Sequence, residues 1–235
     1  MKHRNVRGKI AYIFDPEGER IDFGREWWSV TFHEDGQRTL RAHCEIEPGV
    51  VADRSVLRET VYTTDSQYHP LDCFVRLHES GKFLGSGWFR FTDGWAECEA
   101  VNVTSGRISQ RMELDVPPLS FGARPVSCDM LHCARFDHGA SQTIQPCDGV
   151  LMSSREHDGC SGPNLCTTQF GLEYIGREEI TVPAGTFETD HYRFVLDHHP
   201  TEDLWCTPDG FLFVKITVGG YMNAHFDLVE YEEDY

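Results

Sequence analysis

Hydrophobic and polar positions alternate with a period of two through most of the chain, and short turn signals interrupt the alternation. GKIAYIF (8–14) is followed by DPEGER, and EWWSVTFHE by Asp-Gly and then QRTLRAHCEIE. Asp-Gly between two alternating runs is a hairpin signal, because both residues tolerate positive φ. RSVLRETVYTT comes next, then PLDCFVRLHESGKFLGSGWFRFTDGWAECEAVN with reversals at Ser-Gly and Asp-Gly, then ISQRMELDV. Helical periodicity is nearly absent from residues 8–115. Residues 168–231 repeat the pattern: TTQFGLEYIGREEITV, GTFETDHYRFVLD, DLWCT, GFLFVKITV and NAHFDLVEYE, separated by PAG, PTE, PDG and GGY.

Residues 117–167 differ, being rich in Gly, Pro, Ser, Cys and His. They read as a long crossover, irregular apart from a short helical turn near CDMLHCARF. The crossover has too little periodic apolar pattern for a core of its own, so it is expected to cover one end of the strand set. A loop this long in a compact domain is usually functional or poorly ordered. The expected fold is all-β: one domain over residues 1–235, forming an antiparallel, lipocalin-like barrel or a strongly curved sheet. Closure is the economical solution because it removes exposed strand edges.

The stretch EEITVPAGTFETDHYRF, followed by DLWCTPDGFLFVKITVGGYMNAHFDLVEYE, resembles the C-terminal half of a family of uncharacterised bacterial β-barrel proteins. That family has a VPAGTF turn before a long strand, an LW strand, a PDG-type hairpin and a closing strand. It is related in shape to lipocalin-like and lipoprotein-carrier-like barrels. The resemblance covers about the last third of the chain and implies a fold with almost no chemistry. Many such relatives look exported, whereas MKHRNVRGKIAYIF is basic and lacks the apolar core of a signal peptide. The cytoplasm is therefore the expected compartment, and the nine cysteines are expected to be reduced thiols.

Charge narrows the partners. A formal net charge of -17 disfavours nucleic-acid backbones and anionic membrane surfaces. No run approaches the length of a membrane-spanning helix. A small-molecule ligand is the expected partner, and a homodimer stays open.

Candidate chemistry lies on the strand faces. In residues 186–197, His191 and Arg193 share one face, and Tyr192, Phe194 and Leu196 the other. Lys215 shares a face with Phe211 and Phe213. Tyr221, Asn223, His225 and Asp227 share a face of the closing strand, and Arg58, Thr60 and Tyr62 a face of an earlier one. If these faces converge on a lumen, His191, His225, Lys215 and Tyr221 are the candidate catalytic residues. Arg58, Tyr62, Trp88, Arg193, Trp205 and Phe213 are the candidate ligand-binding residues. Such a set can hold an anionic group by charge-assisted hydrogen bonds and move a proton through His. A solvated, salt-bridged sheet face is the alternative of equal weight.

The crossover concentrates Cys128, His132, Cys133, His138, Cys147, His157, Cys160 and Cys166, but no CxxC pair occurs, and no metal is assigned. His132 with Asp129, or His138 with Asp137, is a second location for a site. His198-His199 before Pro200 read as exposed turn residues without a role. GxSxG, a Gly-rich phosphate loop and HExxH are all missing from the sequence. The sequence therefore points to a cofactor-independent enzyme of lyase, isomerase or decarboxylase type, acting on a small aromatic or apolar anion. The alternative is a non-catalytic carrier or sensor of a hydrophobic small molecule.

Overall fold

A computed structural model describes residues 3–15, 18–50, 53–197, 199–220 and 223–234. Eight antiparallel strands follow one another first: β1 (Arg4–Phe14), β2 (Ile21–Phe32), β3 (Arg38–Ile46), β4 (Val56–Thr64), β5 (Pro70–Glu79), β6 (Lys82–Thr92), β7 (Trp95–Asn102) and β8 (Gly106–Glu113). The β5–β6 turn has Ser80 at φ 49 and Gly81 at φ 74. Two successive positive φ angles give the hairpin turn whose twist matches that of the strands.

The crossover holds β9 (Phe121–Gly122), α1 (Val126–Asp129), a 3-10 turn (Met130–Arg135) and β10 (Ile144–Met152). The helical turn falls on the CDMLHCARF stretch, as expected. β10 is a strand where irregular structure was expected. It pairs with the next strand through a register shift between Cys147 and Val150. That irregularity and Pro146 hide the period-two pattern. The last strands are β11 (Cys166–Val182), β12 (Gly185–Val195), β13 (Glu202–Cys206), β14 (Phe213–Val218) and β15 (Ala224–Asp234).

Among the described residues the fifteen strands form one sheet, in the order β8 to β1, then β15 down to β9. Only β9 and β10 run parallel. β1 pairs with β15 and so joins the two strand sets. β8 and β9 end the sheet without pairing to each other. Of the two forms expected, the molecule takes the strongly curved sheet. Arg58 of β4 and Glu202 of β13 line one cavity although six strand spacings separate them. In a flat sheet that would be about 29 Å, at ~4.8 Å per strand.

The crossover packs into the curve. The Phe121 ring lies 5.0 Å from Phe89, 5.0 Å from Phe91 and 5.9 Å from Tyr62. Pro163 sits on Gly85 and Gly87, where a Cβ at residue 87 would stand 2.9 Å from the proline's own Cβ. Glycine in β6 is thus what lets the crossover approach the sheet. Gln110 of β8 donates to Leu165 O (3.1 Å) and accepts from Leu165 N–H (2.7 Å). Glu26 of β2 is fully buried and accepts from the N–H groups of Val126 (3.0 Å) and Ser127 (3.2 Å) and from the Tyr12 hydroxyl (2.5 Å). It anchors α1 to the sheet by satisfying donors that the short helix leaves free. The inner face of the sheet, covered by residues 121–165, therefore carries the core.

Candidate functional site

The inner face decides where a ligand can sit. In β4 the residues Val56, Arg58, Thr60, Tyr62 and Thr64 are all buried and point inward. In β12 the inward residues are Asp190, Tyr192 and Phe194, while His191 and Arg193 point outward. The expected convergence of His191, Arg193, Lys215 and His225 with Arg58 inside the curve does not occur. Burying the apolar Tyr192 and Phe194 in β12 outweighs placing its polar face inside, because the inner side is already filled by the crossover.

The outward residues form a lattice of ion pairs. His191 Nε2 lies 2.9 Å from Asp203 and Nδ1 lies 3.0 Å from Glu178, with its ring stacked on Trp205 at 4.2 Å. Arg193 also pairs with Asp203 at 2.9 Å. Asp227 receives Lys215 at 3.6 Å and His225 at 2.9 Å. Trp88 is 46% exposed on the same outer side. Tyr62 and Phe213 are buried inside, but they line a void of only about 10 Å³. Tyr221 lies outside the described residues.

Two adjoining cavities open inside the curve. One, of about 110 Å³, is walled by Tyr12, Phe23, Ile46, Ile216, Val218 and Phe226. The other, of about 350 Å³, is walled by Met152, Phe170, Phe194 and Leu196. Both are lined by Arg124, Asp129, His157, His199 and Glu202, which form a polar belt between the apolar walls. Arg58 adds a second guanidinium to the smaller cavity and is 1% exposed.

Local structure positions each member of the belt. Arg124 follows β9 with φ 81 and is held by Ser154 O (2.5 Å), Arg155 O (3.0 Å) and Ser154 Oγ (3.2 Å). Arg58 donates to Asp158 O across the cavity wall. Gly159 has φ 81, and a Cβ there would run into the Arg58 guanidinium. The Asp158 carboxylate is itself taken by Arg54, at 2.6 Å. Asp129 closes α1. Its side chain lines both cavities and makes no hydrogen bond among the described residues. The His157 and His199 rings lie 4.7 Å apart at 34°. His199 Nδ1 is 2.8 Å from Pro200 O and 3.2 Å from Glu202 Oε1. A carbonyl can only accept, so Nδ1 carries the proton.

Burial sets the electrostatics of the belt. Desolvation, reinforced by the charge of Glu202 and opposed by Arg124, holds the Asp129 carboxyl well above the usual range. Desolvation also raises Glu202, against the pull of His199 and Arg124. His157 is pushed down to about 4 by burial and by the neighbouring Arg124 and His199. His132, on the edge of the larger cavity, falls to about 3 through burial and the charges of Arg135 and Arg124. Neutral imidazoles and protonated carboxyls are the forms that a poorly hydrated interior favours.

Sequence reasoning named Arg58, Asp129 and His132, counted His157 only among the crossover histidines, read His199 as an exposed turn residue although its side chain is 7% exposed, and passed over Arg124 and Glu202. The last four lie in or beside turns, where no periodicity marks a face. The available signal was the density of Arg, His and Asp in a Gly/Pro-rich stretch.

These features define a barrel-like, mostly antiparallel β protein with a polar belt inside an apolar hollow. No protein-family model matches the chain, and no curated protein sequence does. Among solved structures it is similar to a beta-barrel-like protein of domain of unknown function DUF1849 from Brucella abortus, with a TM-score of 0.60 and 10% identity over 99% of this chain and 98% of that one. It also aligns with a DUF1089 family protein from Pseudomonas aeruginosa (TM-score 0.33, 11% identity, 88% and 89% coverage). A domain from Vibrio parahaemolyticus, described as an outer membrane lipoprotein-sorting protein, aligns at TM-score 0.25 and 7% identity, with 98% and 85% coverage. The first comparison shows the fold. The resemblance of residues 178–232 to β-barrel proteins of unknown function holds at that level.

Proposed function

We propose that this protein binds a small molecule with an apolar body and a polar head, held in the paired cavities inside the curved sheet. The observation that carries the reading is the shared polar belt of Arg124, Asp129, His157, His199 and Glu202 between two apolar walls. Ligand sites are typically apolar hollows with a few convergent polar groups. Hollows on the outer face, about 620 Å³ beside Trp27 and Phe74 and about 770 Å³ beside Lys215 and His225, are larger but more open to solvent. A proton-transfer enzyme working in the same cavity is the second reading. It is favoured by Asp129 and Glu202, two partly buried carboxyls both shifted toward the protonated form.

The test uses the fluorescent probe 1-anilinonaphthalene-8-sulfonate with the folded protein. The parent is expected to bind about one probe per chain in an apolar setting, and Ile216→Trp, which fills the smaller cavity, to weaken binding roughly tenfold. Ile216→Trp should still unfold cooperatively in urea. A parent that binds no probe, or a variant that binds it like the parent, overturns the reading.

A further inference from the structure

Guanidinium groups elsewhere in the sheet are commonly matched by carboxylates: Arg4 with Glu233, Arg7 with Glu232, Arg25 with Glu45, Arg54 with Asp158 and Arg193 with Asp203. The two arginines inside the hollow depart from that pattern. Among the described residues Arg58 and Arg124 hydrogen-bond only to main-chain carbonyls and one serine hydroxyl, and neither has a carboxylate at ion-pair distance. Both line the smaller cavity, and each is close enough for its charge to act on the other.

Bringing two like charges together in a desolvated place without a counter-ion costs free energy. The fold accepts that cost and stabilises the arrangement locally. Gly159 is left without a side chain where Arg58 passes, and Arg124 is held by two carbonyls in a left-handed backbone conformation. Among the described residues no carboxylate makes a direct ion pair with either arginine. The Asp158 carboxylate is occupied by Arg54, and burial drives Asp129 and Glu202 toward their neutral forms.

Resting on the binding reading above, we infer that Arg58 and Arg124 form an anion clamp, and that the ligand is an amphiphilic anion. Its acidic head, a carboxylate or a sulfonate, lies at the polar belt, and its apolar chain lies along Met152, Phe170, Phe194 and Leu196. A planar guanidinium suits such a head because it offers two parallel donors to two oxygens.

The experiment measures displacement of 1-anilinonaphthalene-8-sulfonate from the full chain by three probes of equal chain length: decanoate, decanol and decylammonium. Decanoate is expected to displace the dye about tenfold or more better than decanol, because two charge-assisted hydrogen bonds distinguish them, and decylammonium worst of all. Arg124→Gln is expected to erase the preference for decanoate while leaving decanol binding about unchanged. If that variant fails to fold, the order of the three probes on the parent decides by itself. Decanol or decylammonium binding as well as decanoate overturns the clamp while the cavity reading stands. Failure of the dye and all three probes to bind overturns both.

Discussion

At the scale of single residues, the same side-chain type has opposite fates on different strands. Arg58 and Arg193 both sit on the more polar face of an alternating strand. Arg58 is buried on the inner face, and Arg193 is outside in an ion pair with Asp203. Alternation told which residues share a face and did not tell which face is inside. Asp129 illustrates the cost of an inward position. Its folded carboxyl holds a proton more firmly than the unfolded one, because burial penalises the charge. Stability conferred by that proton is complete below the unfolded carboxylate range and is lost as pH rises through the folded value. His132 and His157 act in the opposite direction: their folded values lie at about 3 and about 4, so stability is lost as pH falls from about 6.5. Asp129→Asn removes one term only. It is expected to raise the Tm relative to the parent more at pH 8 than at pH 5, as read by scanning calorimetry. An equal gain at both pH values would show that Asp129 titrates as a solvated group.

At the scale of elements, the hairpins were legible because each carries its own turn chemistry. Ser80-Gly81 between β5 and β6 is one case, and Pro183-Ala184 between β11 and β12 is another. β9 and β10 were not legible. β9 has two residues, and β10 contains Pro146 and a register shift, so neither shows a clean period of two. What holds the crossover in place is contact distant in sequence. Phe121 fills the space between Tyr62, Phe89 and Phe91 and is fully buried. Phe121→Ala leaves a cavity there and is expected to cost about 3–5 kcal/mol in urea unfolding, the usual range for an aromatic removed from a core. A loss below about 1 kcal/mol would mean that the crossover is not seated against the sheet.

At the scale of the whole molecule, the curve of the sheet converts strand faces into an inside and an outside. Residues six strands apart meet across the hollow. The outer side carries many paired charges beside exposed apolar residues such as Trp27, Phe74 and Trp88. The ion pairs of the outer cluster are expected to contribute only modest stabilisation. The double variant His191→Ala, His225→Ala is expected to cost about 1 kcal/mol or less per site and to leave dye binding unchanged, because surface ion pairs contribute little. Loss of dye binding in that variant would move the site to the outer face. The sequence by itself determined an all-β chain, the position of most strands and turns, and the sets of residues that share a face, since these follow from local periodicity and turn chemistry. Only the tertiary structure decided which face each strand buries and that Arg58 meets Arg124, Asp129, His157 and Glu202. Those outcomes depend on how the crossover packs into the curve, and a period of two along one strand is the same whichever side faces in.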